Sequence, residues 1–125
     1  DCNKAIELNP TSADATYINR GNAKLNLEDY RGAIADYNKA IELDPTEAVA
    51  FNNRGVAKFN LEDYRGAIAD CNKAIELNPT NANAYYISGV AKISLGQKDS
   101  GCIDLSKAGE LGYYKAYDAI KQYCR

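Results

Sequence analysis

Two stretches of this chain are near copies of each other. Residues 19–45 read NRGNAKLNLEDYRGAIADYNKAIELDP, and residues 53–79 read NRGVAKFNLEDYRGAIADCNKAIELNP. Gly21, Gly55 and Gly89 stand 34 residues apart, and residues 14–47 and 48–81 agree at 24 of 34 positions. A fixed period of this length marks a stacked array, in which each unit buries its apolar face against its neighbours. Such an array needs no single central core, so 125 residues suffice for one domain.

Within a unit, the apolar period is helical. Tyr17, Gly21, Lys24, Leu25 and Leu27 fall at helical spacing and predict a helix over 13–27. Ala33, Ile34, Tyr37, Ala40 and Ile41 make an i, i+3, i+4, i+7, i+8 stripe and predict a second over 30–43. Glu28-Asp29 separates them, with Asp29 as the N-cap, and Asp44-Pro45 ends the second. One unit is therefore two antiparallel helices of about 14 residues, each roughly 21 Å long. The glycines of the first helix cost about 1 kcal/mol each relative to Ala. Their recurrence implies that a partner helix comes close, with Ala33 and Ala67 the small residues on the other side.

The expected organisation is a half repeat at 1–13, repeats at 14–47 and 48–81, a divergent repeat at 82–113 and a capping helix at 114–125. The third unit replaces Asp-Tyr-Arg-Gly-Ala-Ile with Gln97-Lys98-Asp99-Ser100-Gly101-Cys102, and its stop is Leu111-Gly112-Tyr113. Gly112 can take the positive φ of a helix C-terminus. Tyr117, Ile120 and Cys124 share one side of the last helix. Residues 1–10 match residues 70–79 one for one, and the first residue is not Met. These features carry the expectation of a piece of a longer array, with Thr11 and Ser12 capping the first full helix.

Composition narrows the function. The chain has no His, which removes the commonest general base and metal ligand. It has no phosphate loop, no nucleophile–base pairing and no metal-spaced cysteines, so neither an enzyme nor a cofactor or metal site is expected. Acidic residues outnumber basic ones 17 to 15, and the basic ones recur singly beside acids. Nucleic acid is therefore not an expected partner. No apolar run approaches a bilayer span, so neither is a membrane.

The recurring columns resemble the tetratricopeptide repeat family: Tyr17, Gly21, Ala33, Tyr37, Ala40 and Pro45 in one unit, and Phe51, Gly55, Ala67, Cys71, Ala74 and Pro79 in the next. Arg20, Arg54, Lys24, Lys58 and Lys92 depart from the family's apolar columns and imply a more polar helix face. The resemblance implies an all-α fold, a right-handed superhelix (solenoid) of antiparallel helix pairs. Its concave face, lined by the first helix of each repeat, is where partners dock.

Carried over by position, that face holds Ala15, Ile18, Asn22, Leu25 and Asn26, then Val49, Asn52, Val56, Phe59 and Asn60, then Asn83, Tyr86, Val90, Ile93 and Ser94. Most of these columns vary between copies, as expected of positions released from repeat packing. The asparagines can each donate and accept, which suits an extended peptide backbone. Solvated helix surface is the other account of them, and packing between neighbouring helices is the other account of Leu25, Phe59 and Ile93. Co-chaperone members of the family clamp a C-terminal carboxylate with Lys and Asn. Here Asn22 and Asn53 match the clamp asparagines, but Ile18, Asn83 and Ile87 stand at its basic positions, so that mode is rejected.

Arg20 and Arg54 with Asp1, Asp36, Asp70 and Asp104 read as structural ion pairs between helices. Cys2 and Cys71 fall in the column of Tyr37 and read as small core residues. Cys102 and Cys124 lie 10 and 12 residues from Gly112 on helices expected to run antiparallel. They can meet as a disulfide, which would imply an oxidising compartment, or as a reduced buried pair, the preferred of the two. A cytoplasmic location goes with the latter. The leading function is a non-enzymatic module that binds a peptide or helix of a protein partner in the concave groove. The alternative is a scaffold segment that sets spacing or self-associates through an open N-terminal repeat.

Overall fold

The computed structural model describes residues 13–124. The expectations for Asp1, Cys2, Thr11, Ser12 and the half repeat before residue 13 lie outside them. Seven helices follow in order: α1 (Ala13–Asn26), α2 (Tyr30–Leu43), α3 (Ala48–Asn60), α4 (Tyr64–Leu77), α5 (Ala82–Ser94), α6 (Lys98–Glu110) and α7 (Lys115–Tyr123). Each packs on the next, and α1 with α3, α3 with α5, and α5 with α7 also touch. The result is an all-α stack of helix pairs, with a core in every layer.

Local chemistry sets the boundaries. The Asp29 carboxylate accepts from the Gly32 N–H at 3.1 Å, and Asp63 does the same for Gly66 at 3.0 Å. The turn before each cap needs a left-handed residue. Glu28 (φ 62°) and Glu62 (φ 64°) supply it, and in the third copy Gly96 (φ 84°) does so without a Cβ clash. Gly112, at φ 103°, turns the chain into α7. This geometry corrects one expectation. Leu27 does not continue the α1 stripe, because the helix ends at Asn26 and the turn leaves Leu27 81% exposed.

Small residues let the pairs close. Ala33, Ala67, Ala40 and Ala74 are fully buried. A Cβ placed on Gly21 would stand 2.7 Å from the Tyr37 ring, and one on Gly55 would stand 3.1 Å from Cys71 Sγ. Three apolar clusters result: Ile18, Ala33, Tyr37, Ala40 and Ala50 in the first; Phe51, Ala67, Cys71, Ala74, Ala84 and Ile87 in the second; Leu105, Ala108, Ala116 and Ala119 beneath α7 in the third.

Charged residues tie each pair at a fixed point. Asp36, 4% exposed at its side chain, meets Arg20 at 2.8 Å and Lys24 at 3.1 Å. Asp70 meets Arg54 at 2.7 Å and Lys58 at 3.1 Å. In the third copy Asp104 pairs with Lys92 at 2.8 Å and accepts from the Ser88 hydroxyl at 2.9 Å. Arg54 also donates to Asn38 of the preceding unit at 2.8 Å, linking one repeat to the next. Cys102 and Cys124 are bonded, with their Cα atoms 5.9 Å apart. This corrects the preference for a reduced pair: α6 and α7 run back against each other around Gly112, and both thiols meet at the open end of that hairpin.

Candidate functional site

The first helices of the pairs, α1, α3 and α5, present a row of asparagines that bond to one another. The Tyr37 hydroxyl donates to Asn22 Oδ1 at 2.5 Å, and Asn53 Nδ2 donates to the same oxygen at 2.8 Å. Asn52 Nδ2 donates to Asn53 Oδ1 at 3.0 Å and to Asn83 Oδ1 at 3.1 Å. The ladder runs from α1 through α3 to α5. It uses the carbonyl oxygens of Asn22, Asn53 and Asn83 as internal acceptors. The amide N–H groups of Asn22 and Asn83 have no partner among the described residues, so the row offers donors outward. Asn52 Oδ1 is buried and accepts no hydrogen bond.

Burial around Tyr37 shapes the α1 end of the ladder. Its phenol is pushed up to about 12 by desolvation, with the hydrogen bond from the Asn53 side opposing this and the Asp36 charge adding to it. The hydroxyl stays a neutral donor to Asn22.

Beside the ladder's other end lies a pocket of about 510 Å³. Phe59 of α3, Tyr86, Val90 and Ile93 of α5, and Ala119 and Tyr123 of α7 form its apolar walls. Lys115, Asp118, Gln122 and Ser94 add polar groups. Lys115 Nζ stands 5.9 Å from the centre of the Tyr86 ring. Asn83, Tyr86, Val90 and Ser94 follow one another on one face of α5, so ladder and pocket are continuous.

The residues expected on the concave face divide into groups. Asn22, Asn52 and Asn83 join the ladder. Phe59, Tyr86, Val90 and Ile93 line the pocket. Ile18, 8% exposed, belongs to the first core cluster and has little surface to present. Leu25 packs against that same cluster, and Val56 against the second. Val49 is 48% exposed, and Asn26 and Asn60 are exposed. Asn60 Nδ2 donates back to the Val56 carbonyl of its own helix at 2.9 Å. The sequence marks Asn53 only by its match to a clamp position, and its central place in the ladder emerges from the structure. Lys115, Asp118, Gln122 and Tyr123 likewise join the site only in the structure. Their helical spacing put them near one face of α7, but nothing in the sequence told where α7 docks.

Among the described residues, Asp14, Asp44 and Glu47 bring carboxylate oxygens within 4.8 Å of one another. Asp44 Oδ1 already accepts from the Thr46 N–H and hydroxyl, a turn-forming role. Burial pushes the Glu47 carboxyl up, and Asp14 and Asp44 add to the shift. No described helix is long and apolar enough to cross a membrane.

The family model described as tetratricopeptide repeat matches residues 15–47 and 48–81, more than half of the chain. The chain belongs to the tetratricopeptide repeat family. Its fold is the right-handed α–α solenoid of that family. Among sequence relatives, the DnaJ homolog subfamily C member 3 homolog of Dictyostelium discoideum is 50% identical over 46 residues, 37% of this chain. RNA polymerase II-associated protein 3 of Xenopus tropicalis is 50% identical over 52 residues, 42% of this chain. The matched segment is 9% and 8% of those proteins' lengths. Among solved structures, the first tetratricopeptide domain of Spaghetti (RPAP3), bound to the HSP90 peptide SRMEEVD, superposes with TM-score 0.85 at 27% identity, covering 89% of this chain and 90% of that one. The Arabidopsis OM64 tetratricopeptide domain gives 0.87 at 28% identity, covering 90% and 94%. The TPR2B domain of yeast Sti1, in a complex with pHsp70, gives 0.78 at 28% identity, covering 88% and 91%.

The charge at the matching clamp positions is absent here. Ile18 and Ile87 are buried in core clusters, and Asn83 is engaged by Asn52.

Proposed function

We propose that this chain is a non-enzymatic interaction module that holds an extended segment of a protein partner in its concave groove. Residues 14–47, 48–81 and 82–113 act as the three repeats and 114–125 as their cap. The observation that carries the reading is the asparagine ladder, with outward amide donors, running into an apolar pocket. Donors in a row suit the carbonyls of an extended backbone, and the pocket suits one bulky apolar side chain. Val49, Leu25, Val56, Asn26 and Asn60 flank the row. Peptide-bound neighbours of the same fold, Spaghetti and Sti1, support a peptide as the ligand class. The ligand differs from theirs in one respect. The groove lacks the buried basic residues a terminal carboxylate would need, so it reads an internal segment rather than a chain end. With 17 acidic residues against 15 basic, nucleic acid is not its partner. Neither a membrane nor a cofactor enters the reading.

The test is fluorescence anisotropy with labelled ~12-residue peptides, apolar-centred or all-polar, each with a free or an amidated C-terminus. Apolar-centred peptides are expected to bind, and equally in both terminal forms. Phe59→Ala or Tyr86→Ala should weaken them about tenfold or more. SRMEEVD should bind no better than its amidated form. If no apolar-centred peptide outbinds the polar controls, or both variants bind like the parent, the groove is not the site.

A further inference from the structure

The last helix buries only small side chains fully, with Tyr117 lying over Gly109, yet it makes half of the pocket wall. α7 has nine residues, too few for a stable isolated helix in water. It buries two alanines, Ala116 and Ala119, with Ile120 partly buried beside them. Alanine carries little apolar area, so these contacts anchor it weakly. Five of the ten residues around the pocket nevertheless come from this helix: Lys115, Asp118, Ala119, Gln122 and Tyr123.

The strongest anchor is covalent. Cys102, in the second turn of α6, is bonded to Cys124, which immediately follows α7, across 22 residues of chain. Both cysteines are half-buried, within reach of a small thiol reagent. The other described cysteine, Cys71, is fully buried, and burial pushes its thiol up to about 12. It offers no thiolate for exchange at neutral pH.

We propose that the Cys102–Cys124 bond is a thiol-operated latch on the pocket. Oxidised, it pins α7 against α5 and α6 and completes the wall. A dithiol opens it in two steps. One thiolate of the reagent attacks one cysteine sulfur, forming a mixed disulfide and releasing the other cysteine as a thiol. The reagent's second thiolate then closes its own ring and frees the remaining cysteine. Two electrons and two protons pass from the dithiol to the protein. With the bond gone, α7 frays and the faces of Tyr86, Val90 and Ile93 lose their cover. The consequence for peptide binding rests on the groove reading above, whereas the loosening of α7 does not.

Hydrogen exchange followed by mass spectrometry, on the whole chain with and without dithiothreitol, tests the latch. Reduction should speed exchange across α7 by roughly tenfold or more, while α1 to α4 keep their rates. The Cys102→Ser, Cys124→Ser double variant should show fast α7 exchange from the start and ignore the reagent. Unchanged α7 exchange overturns the proposal. So does acceleration across all seven helices, since the bond would then hold the whole array rather than one element. So does an intact mass, without reductant, that lacks the loss of two hydrogens. Apolar-centred peptides should weaken on reduction, and equal binding in both states overturns the pocket's part in the latch. Absence of peptide binding in either state would sink the groove reading and leave the latch to be judged on exchange alone.

Discussion

Tyr37 and Cys71 occupy the same column of successive repeats, and the glycines opposite them feel the difference. An added methyl on Gly21 would stand 2.7 Å from a Tyr37 ring carbon, whereas on Gly55 it meets Cys71 Sγ at 3.1 Å. Overpacking costs about 1–3 kcal/mol, against a gain of about 1 kcal/mol in helix propensity. Gly21→Ala is expected to lower stability by about 1 kcal/mol, and Gly55→Ala to leave it nearly unchanged, as urea midpoints would register. Tyr37 makes a second prediction. Its phenol ionises only near 12 in the fold, above its ordinary value. Its raised value therefore contributes fully below about 10 and is lost as pH rises through about 12. Tyr37→Phe removes the hydrogen bond to Asn22 and should cost about 1 kcal/mol at neutral pH. In return the variant should lack part of the alkaline decline, so the two stability curves converge above pH ~10. Parallel curves through that range would contradict the assignment.

At the scale of the element, turns and ion clusters decide how each pair closes. Glu28 and Glu62 sit at positive φ where the third copy has Gly96. A left-handed side-chain residue costs about 1–2 kcal/mol, and glycine loses about 0.5–1 kcal/mol in backbone entropy. Glu62→Gly should therefore raise stability by about 0.5–1 kcal/mol, measured by thermal or urea unfolding. Asp36 belongs to the same scale. Burial alone would raise its carboxyl, but hydrogen bonds from Arg20 and Lys24, and their charges, hold it below the usual carboxylate range. Its contribution is present above the ordinary carboxylate value and is lost as pH falls through the lowered one. Asp36→Asn should cost about 1–3 kcal/mol at neutral pH, less than a fully buried pair because Arg20 and Lys24 are about one-third exposed. The variant should also lose less stability on acidification than the parent, and an equal loss would assign the acid sensitivity elsewhere.

Across the whole molecule, the repeat period made the fold legible. The helix pairs, the buried Ala33, Ala67, Ala40 and Ala74 and the Asp29 cap follow from local rules that act twice or three times over, and the Gly112 turn from the positive φ that glycine alone takes freely. Each copy checked the others. The site was legible only in part. Varying columns pointed to Phe59, Tyr86, Val90 and Ile93, which line the pocket, and also to Ile18, which is buried in the first core cluster. Variation between copies reports release from repetition, and a core can also be packed in more than one way. The Asn22–Asn53–Asn52–Asn83 ladder depends on amide orientations across three helices, which no spacing encodes. The tetratricopeptide array, the order and approximate extent of its helix pairs and its lack of clamp charges were determined by sequence alone, because short-range propensity and a 34-residue period specify them. The ladder, the docking of α7 and the Cys102–Cys124 latch were decided by the tertiary structure. The cap has no internal copy to compare with, and its place is set by contacts between residues far apart in the chain.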